Sequence, residues 1–243
     1  MAGPQFERIA VIGCGLIGSS LVRAVRAYGA AGSIAVYDLS PAVRERVATL
    51  GIADLVTDDI AKAVEGADLV VFATPPMTIA EAARLAAPHY RAGAVISDVG
   101  SVKGPIVEAL SESAPDNVFI IPGHPIAGTE QSGPDAGFAE LFDGRWVILT
   151  PVSDQNEAYA VAVANLSAFW RALGAQVELM DARHHDMVLA VTSHLPHLIA
   201  YNIVGTAADL EEVTQSEVMK FSAGGFRDFT RIAASDPVMW RDV

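Results

Sequence analysis

The chain has 243 residues, of which 51% are hydrophobic and 19% charged, so it can bury a sizeable core as one large or two smaller domains. This composition argues against disorder. The formal net charge of −13 opposes binding to nucleic acid, because affinity for phosphates rests on clustered lysine and arginine. The same charge repels anionic small molecules, so an acidic substrate requires specific local cations.

The sequence also limits the compartment in which the protein works. No uninterrupted apolar run reaches the ~18 residues that a membrane span requires. Met1 to Arg8 lack the basic-then-apolar form of a signal peptide. The single cysteine, Cys14, fits a reducing compartment and cannot form a disulfide within the chain. We therefore predict a cytoplasmic protein with no membrane or nucleic-acid partner.

The first motif along the chain is a glycine-rich turn. Arg8 to Ile12 is a short β-branched run typical of a buried parallel strand, and it leads into Gly13-Cys14-Gly15-Leu16-Ile17-Gly18. The three glycines of this pattern allow a tight turn, the approach of a pyrophosphate to the backbone, and close packing of helix on strand. A helix from Leu16 to about Ala27 would offer its N-terminus to the phosphates. The motif by itself is a weak signal for a dinucleotide.

An acidic residue strengthens that signal. A second predicted strand, residues 33–37, ends at Asp38, twenty residues past Gly18. A carboxylate there can accept hydrogen bonds from both hydroxyls of the adenosine ribose and would repel a 2′-phosphate. A helix cap or loop residue is the structural alternative. We predict NAD as the cofactor, with NADP less favoured, although Arg44 and Arg46 lie nearby.

Strand-like and helix-like segments alternate as far as Met180, which predicts an α/β fold with a doubly wound parallel sheet of the Rossmann type. Further strands are predicted at 55–56, 69–73, 94–97, 119–122, 145–150 and 176–180, and helices at 41–50, 59–65, 79–87, 134–141 and 157–173. Ligands of such sheets lie beyond the carboxyl ends of the strands. We therefore expect the cofactor to contact Gly13, Gly15, Leu16, Ile17, Gly18, Asp38, Thr74, Pro75 and Ser101.

The residues after Met180 are predicted to form a smaller, all-helical domain. We place the boundary there, with a dinucleotide-binding domain of residues 1–180 and a substrate and dimerisation domain of residues 181–243. Asp181 would cap a helix running towards Val204, and residues 187–191 of that helix are apolar nearly all round. A domain of this size is too small to bury such a helix by itself, and we therefore predict that the helix packs against a second copy in a homodimer. We expect this domain to be truncated soon after a helix start at Asp236-Pro237.

His124 to Gly133 has the sequence HPIAGTEQSG, and we expect this segment to lie where the cofactor-binding part meets the substrate-binding part. It is rich in glycine, proline and hydroxyl side chains, so it favours neither helix nor strand. The strand before it would deliver His124 to the cofactor edge of the sheet. We predict a catalytic loop with His124 as the catalytic residue, since imidazole has an unperturbed pKa of about 6.5. A structural loop histidine is the alternative.

Two further polar clusters lie in the helical part. His194 and His197 are spaced i, i+3 and share a helix face. Pocket lining is favoured for them over a metal pair, because no cysteine or dense carboxylate cluster accompanies them, and we predict no metal site. His184 and His185 are assigned to the first turn of a helix. Arg227 could hold a carboxylate with its planar guanidinium, or could pair with Asp228.

Four motifs, in this order along the chain, resemble those of the prephenate/arogenate (cyclohexadienyl) dehydrogenase family of tyrosine biosynthesis. They are Gly123 to Glu130 (GHPIAGTE), Leu141 to Trp146 (LFDGRW), Ser193 to His197 (SHLPH) and Gly225 to Ala233 (GFRDFTRIA). The resemblance spans essentially the whole chain and is far more specific than the glycine motif. The family usually continues with further helices after the position of Val243, and some members carry an added mutase or regulatory domain.

The resemblance implies the oxidative decarboxylation of prephenate and/or arogenate to 4-hydroxyphenylpyruvate and/or tyrosine. Hydride would pass to NAD from the ring carbon that bears the hydroxyl. The resemblance also implies that His124 accepts the proton of that hydroxyl, with support from Ser101. Arg227 would hold a substrate carboxylate with His194 nearby. The entrance would be shaped or gated by Thr129 and Glu130.

Two other interpretations fit part of the sequence. A β-hydroxyacid dehydrogenase also joins a Rossmann half to a helical half, but such enzymes usually rely on a catalytic lysine. Lys220 is the only lysine after Lys103, and no motif surrounds it. A nonenzymatic NAD-sensing regulator would keep Gly13 to Gly18 but would not need His124 together with Arg227.

Overall fold

The structure is a computed structural model that describes residues 4–152, 156–209, 217, 220–221 and 223–234. The chain divides into two compact units, with the division after Asp186. The first unit carries the sheets, and the described elements of the second are all helices. The predicted helix start at Asp236-Pro237 lies outside the described residues.

The first unit is organised around a six-stranded parallel sheet, as the alternating pattern predicted. Its strand order is β3-β2-β1-β4-β5-β6, and every neighbouring pair is parallel. The order reverses direction between β1 and β4, and this is the point at which such sheets bind ligands beyond their carboxyl ends. The strands are β1 (Phe6–Ile12), β2 (Ala31–Tyr37), β3 (Leu55–Thr57), β4 (Leu69–Phe72), β5 (Val95–Asp98) and β6 (Phe119–Ile120).

Helices cover both faces of this sheet because successive side chains of a strand point to opposite faces. Ile9 and Val11 of β1 belong to one buried cluster, whereas Ala10 and Ile12 belong to the other. The first cluster includes residues of α1 and α6, and the second includes residues of α3, α4 and α5. The helices of this unit are α1 (Leu16–Tyr28), α2 (Pro41–Leu50), α3 (Ile60–Val64), α4 (Pro76–Ala86), α5 (Gly104–Ser113) and α6 (Glu157–Ala172). The sequence pattern had indicated all of these except α5.

The last three strands form a separate sheet. This corrects the prediction that the strands at 145–150 and 176–180 extend the first sheet, and the first of the three was not predicted as a strand. The second sheet contains β7 (Gly123–Pro125), β8 (Trp146–Leu149) and β9 (Gln176–Leu179) in that order. The chain leaves the first sheet after Ile121, whose N–H still donates to the Ile96 carbonyl at 2.9 Å. Pro122 follows and has no N–H with which to continue the ladder. His124 therefore lies in a strand, opposite Ile148, rather than in the loop that we predicted.

One smaller prediction about this unit is also corrected. The single helix predicted at 134–141 consists of two short 3₁₀ segments, Pro134–Ala136 and Ala139–Phe142. Gly137 lies between them and adopts extended backbone geometry. There is no room for a side chain here, because a Cβ on Gly137 would lie 2.2 Å from the Ser19 hydroxyl oxygen of α1.

A long helix begins at Ala182 and continues to Ala208. Asp181 caps it as predicted, since its Oδ1 accepts a hydrogen bond from the His184 N–H at 3.0 Å. The helix consists of α7 (Ala182–Leu189), a π-helical segment (Ala190–His194) and α8 (Leu195–Ala208). A short helix, α9 (Gly224–Thr230), and a 3₁₀ segment, Arg231–Ala234, complete the described part of the second unit.

This long helix exposes much of its apolar surface. Among the described residues it is the one helix long and apolar enough to cross a membrane by length and composition, with a mean hydropathy of 1.3. Polar residues interrupt its apolar sequence, so the prediction from uninterrupted apolar runs did not include it. Only 11% of its most apolar stretch is buried within the chain. The exposed apolar side chains recur at spacings of three and four, which places them along one side of the helix, and they are Met187, Val191, Leu195, Leu198 and Ile199.

Candidate active site

The glycine turn between β1 and α1 has the geometry that its sequence requires. Gly13 has a φ of +93°, a conformation that side chains with a Cβ rarely adopt. A Cβ on Gly18 would lie 2.2 Å from the Gly13 carbonyl oxygen, so helix and turn can approach this closely only with glycine. Gly15 differs from both, because a Cβ there would meet nothing within 4 Å. The turn thus leaves open space beside the N-terminus of α1, which begins at Leu16 and Ile17.

Asp38 lies directly against this turn. Its Oδ2 accepts a hydrogen bond from the Cys14 N–H at 2.9 Å, and its Oδ1 accepts one from the Ser40 N–H at 2.9 Å. Both carboxylate oxygens are therefore oriented by the backbone. The helix cap that we considered as an alternative is supplied by Ser40, whose hydroxyl accepts a hydrogen bond from the Val43 N–H at 3.4 Å.

Thr74 approaches the same turn from the end of β4. Its Cγ2 would lie 2.8 Å from a Cβ on Gly13. Its buried hydroxyl has no hydrogen-bond partner within the part of the chain that the structure describes. A buried hydroxyl of this kind is available to a ligand. Pro75 follows it, is exposed, and precedes the first residue of α4.

His124 is buried, with 8% of its surface exposed, and its ring is held by a second histidine. Nδ1 of His124 lies 2.9 Å from Nε2 of His185, and the two rings are arranged edge to face. Nδ1 of His185 lies in turn 2.8 Å from Oδ1 of Asp186. His185 is fully buried, whereas its neighbour His184 is exposed. Both belong to the first turns of α7, as predicted, but the contact of His185 with His124 was not predicted.

The environment sets the charge of this histidine–carboxylate pair. Burial lowers the pKa of the His185 imidazole below its ordinary value, although the hydrogen bond to Asp186 opposes the shift. Burial acts against ionisation of Asp186, but the Gly104 amide, the His185 ring and the Lys103 amide outweigh it and hold the pKa of Asp186 below its ordinary range. At neutral pH His185 is therefore neutral and Asp186 is ionised.

A buried ion pair fixes the backbone next to His124. Nζ of Lys103 contacts Oδ2 of Asp98 and donates to the Gly123 carbonyl at 2.7 Å. Oδ1 of Asp98 accepts a hydrogen bond from the Gly123 N–H at 3.1 Å. Burial raises the pKa of Asp98 and lowers that of Lys103, and the attraction between the two groups opposes both shifts. Asp98 ends β5 and Gly123 begins β7, so the pair anchors His124 at the carboxyl edge of the first sheet.

The loop that follows β5 connects the ion pair to Asp186. The backbone N–H groups of Lys103 and Gly104 each donate to Asp186, at 2.8 Å. Asp98, Lys103, Gly123, His124, His185 and Asp186 thus form one continuous hydrogen-bonded cluster, which we call the histidine cluster. Ser101 is half-buried in the loop between Asp98 and Lys103.

The remaining predicted residues are more exposed. Thr129 and Glu130 lie in the exposed segment that follows β7, where the Thr129 hydroxyl accepts a hydrogen bond from the Gln131 N–H at 3.3 Å. In the second unit, His194 ends the π-helical segment and is half-buried. Arg227 is exposed on α9. Within the described ranges, no three His, Cys, Asp or Glu residues are arranged to hold a metal ion.

Fold and site together define a class of protein: a dinucleotide-binding, dehydrogenase-type fold with a buried histidine cluster at the carboxyl edge of its sheet. Two family descriptions match the sequence, "Prephenate dehydrogenase, nucleotide-binding domain" over residues 21–179 and "Prephenate dehydrogenase, dimerization domain" over residues 181–243. The chain belongs to the prephenate dehydrogenase family.

Individual relatives agree with this assignment. The chain is 46% identical over 238 residues to the cyclohexadienyl dehydrogenase of Zymomonas mobilis, covering 98% of this chain and 80% of that protein. It is 34% identical to the prephenate dehydrogenase of Bacillus subtilis, again over 98% of this chain but over 63% of the relative. The crystal structure of prephenate dehydrogenase from A. aeolicus with hydroxyphenyl propionate and NAD+ superposes with a TM-score of 0.86 at 35% identity, over 97% of this chain and 81% of that one.

Proposed function

We propose that the protein catalyses the oxidative decarboxylation of prephenate and/or arogenate with hydride transfer to NAD. The observation that carries this proposal is the buried His124, held by the histidine cluster at the carboxyl edge of a dinucleotide-binding sheet. β5 is two strands away from β1 in the sheet order. At the usual strand spacing of ~4.8 Å, the end of β5, which is hydrogen-bonded to Gly123 beside His124, lies roughly 10 Å from the glycine turn across the sheet.

The residues around the glycine turn fit NAD. The open space at Gly15 and the N-terminus of α1 can accommodate a pyrophosphate, and the Thr74 hydroxyl can donate to the cofactor. NAD bound in this way supplies the hydride acceptor. The Asp38 carboxylate can accept hydrogen bonds from the ribose hydroxyls. We assign the cofactor contacts to Gly13, Gly15, Leu16, Ile17, Gly18, Asp38, Thr74, Pro75 and Ser101.

The surroundings of Asp38 also favour NAD over NADP. Arg44 could have neutralised a 2′-phosphate, but its Nη1 donates to the carbonyls of Asp38 and Leu39 at 2.8 Å, and its Nη2 pairs with Asp58. Arg46 pairs with Asp135 at 2.6 Å. Both guanidinium groups are engaged within the protein, and the Asp38 carboxylate would repel an added phosphate.

In the proposed reaction, His124 accepts a hydrogen bond and then the proton from the ring hydroxyl. As the O–H bond weakens, hydride leaves the same ring carbon, the bond to the ring carboxylate breaks, and CO2 departs. The ring becomes aromatic, and the proton returns from His124 to the phenolate oxygen. A positioned imidazole is well suited to this task, because it can accept and return a proton. Ser101, in the loop of the histidine cluster, would support the hydroxyl contact.

The substrate is an anion, so the protein must supply local cations against its net charge of −13. We propose that Arg227 holds one substrate carboxylate with its planar guanidinium. His194 would line the pocket near that carboxylate, and Thr129 and Glu130 would shape its entrance. The exposure of Arg227 on a short helix is compatible with contact to a ligand.

Activity assays test the proposal directly. We expect NADH to form when the protein is mixed with NAD and prephenate, or with NAD and arogenate, and to form much more slowly with NADP in place of NAD. Comparison of kcat/KM for the two acids assigns the substrate. A β-hydroxyacid substrate series serves as the control. Turnover of that series, with neither cyclohexadienol oxidised, would contradict the proposal.

The glycine turn permits a matched pair of cofactor tests. Gly15→Ala should leave the melting temperature unchanged, because its Cβ meets no protein atom, while weakening NAD binding by about tenfold or more. Gly18→Ala should instead destabilise the fold by about 1–3 kcal/mol, because the turn must shift to admit a Cβ. Thermal melts and NAD titrations measure both effects. If Gly15→Ala binds NAD with wild-type affinity, the pyrophosphate does not bind at this turn.

We also propose that residues 1–180 bind the cofactor and residues 181–243 bind substrate and form a homodimer. The second sheet ends at Leu179 and the long helix begins at Ala182, which supports a boundary at about Met180. The exposed apolar side of the long helix supports the dimer, because a second copy can cover it without lipid. The single cysteine, Cys14, is buried and free, which supports our proposal that the protein is located in the reducing cytoplasm.

Sedimentation equilibrium tests the dimer. We expect twice the chain mass of 25.5 kDa for the wild type. Leu198→Glu, in the exposed apolar side of the helix, should shift the protein to the mass of a single chain, because the charge would be buried on assembly. Met77→Glu, at a similarly exposed apolar residue of the first unit, should have no such effect. A wild-type monomer that sediments with lipid vesicles would contradict the proposal.

A further inference from the structure

The proposed reaction assigns no role to His185 and Asp186 of the histidine cluster. His185 lies between His124 and Asp186, with distances of 2.9 Å and 2.8 Å between the facing atoms. His185 is completely buried, so water does not compete for these contacts. Asp186 is fixed independently by the backbone N–H groups of Lys103 and Gly104, both at 2.8 Å. The chain of contacts therefore begins at an anchored carboxylate and ends at the His124 ring.

Hydrogen-bond chemistry determines where the protons lie in this chain. An ionised carboxylate can only accept, so Nδ1 of His185 must donate to Asp186. A neutral imidazole carries one proton, so Nε2 of His185 is an acceptor. The facing Nδ1 of His124 must then be the donor. When His124 is neutral, its second nitrogen, Nε2, carries the lone pair.

We propose that His185 and Asp186 are positioning residues that hold neutral His124 in the tautomer with its proton on Nδ1, which makes Nε2 the proton-accepting nitrogen. The inference rests on the proposed function, because it assigns the acceptor atom for the substrate hydroxyl. In the opposite tautomer Nε2 would carry a proton and could not act as a base. A neutral histidine whose ring is mobile populates both tautomers, so the cluster removes the unproductive one.

The same arrangement assists the step in which His124 becomes charged. The imidazolium retains its Nδ1 proton and its hydrogen bond to His185. The Asp186 carboxylate lies one imidazole ring away, and its negative charge stabilises the new positive charge. Lys103 and Asp98 also face His185, but they compensate each other as a buried ion pair. Because Asp186 is held by two backbone amides, it need not reorganise as the charge appears.

Two substitutions of His185 separate positioning from packing. His185→Phe keeps the ring shape but removes both nitrogens, so His124 loses the acceptor for its Nδ1 proton. His185→Gln loses the ring, yet its amide oxygen can accept from His124 and its NH2 group can donate to Asp186. We expect kcat to fall roughly 10²-fold in His185→Phe and to stay within roughly tenfold of wild type in His185→Gln. The KM for NAD should change little in either variant.

A packing role predicts the reverse order, since phenylalanine fills the space of imidazole better than glutamine does. A kcat for His185→Phe equal to or above that of His185→Gln would therefore overturn the proposal. His184→Gln is the matched control, because it makes the same change at the adjacent exposed residue. It should leave kcat unchanged.

Nitrogen NMR of protein labelled with ¹⁵N-histidine measures the tautomer without any turnover. The signals of His124 are identified by their loss in His124→Gln. We expect Nδ1 to be the protonated nitrogen in neutral His124 of the wild type, and a mixture of tautomers to appear in His185→Phe. A proton on Nε2 in the wild type would overturn the inference. If neither prephenate nor arogenate is oxidised while Nδ1 is protonated, the proposed function fails and the positioning role stands.

Discussion

Replacement of His124 by glutamine is expected to lower kcat for prephenate or arogenate by roughly 10²- to 10⁴-fold. Glutamine can still hydrogen-bond the ring hydroxyl but cannot accept its proton. NAD affinity should be nearly unchanged, because His124 is not among the residues to which we assign cofactor contacts. His89→Gln makes the same change at an exposed histidine and should have wild-type activity. A kcat of His124→Gln within about threefold of the wild-type value would show that His124 is not the base.

The pH profile of the wild type provides an independent test of this role. His124 must be neutral to accept a proton, so kcat should fall on acidification as the imidazole becomes protonated. Burial lowers the pKa of His185 below its ordinary value, so His185 takes up a proton at a lower pH than an ordinary histidine does. The residual activity of His124→Gln should lack the acidic decline. A wild-type kcat that is constant from mildly acidic to neutral pH would contradict the role of His124 as a base.

Lys103→Met is expected to cause the largest loss of stability. It leaves the fully buried Asp98 carboxylate without its cation, and breaking such a pair costs about 3–5 kcal/mol of unfolding free energy. The melting temperature should fall by roughly 10 °C for a chain of this size. Burial raises the pKa of Asp98 in the folded state, and the missing ammonium would no longer oppose that shift. The deficit should therefore shrink as the pH falls and Asp98 takes up a proton.

Two comparisons identify the cause of this loss. The double variant Lys103→Met with Asp98→Asn removes both charges and should recover part of the stability, because no unpaired charge remains buried. Lys62→Met breaks the exposed pair with Asp59 and should change the melting temperature little. Equal melting temperatures for Lys103→Met and Lys62→Met would show that the buried pair does not hold the fold together.

Much of the first unit could be predicted from local sequence patterns. The strand–turn–helix pattern around Gly13 and Gly18 can be recognised locally, because close packing at this turn requires glycine. Asp38 follows twenty residues past Gly18. Buried parallel strands are short, continuous apolar runs, so their positions are visible in one sequence. Membership of a sheet is not local, however. The separation of β7, β8 and β9 into a second sheet follows from a break at Pro122 and from packing that no short window contains.

The supporting residues of the site could not be predicted for the same reason. His124 and His185 are 61 positions apart, and nothing local distinguishes His185 from His184 except the phase of the helix. A buried Lys103 contradicts the usual exposure of lysine, and only the fold brings Asp98 and the Gly123 carbonyl to it. The sequence did indicate that the long helix requires a partner, because a helix that is apolar nearly all round must be covered. The exposed apolar side of this helix is the surface that such a partner would cover.

The most direct test of the central claim is the stoichiometry of one reaction. Incubation of the protein with NAD and limiting prephenate should yield NADH, CO2 and 4-hydroxyphenylpyruvate in equal amounts, and His124→Gln should suppress all three together. This outcome requires hydride transfer and decarboxylation to occur in the same turnover. Formation of NADH without CO2, or loss of CO2 without NADH, would contradict the account.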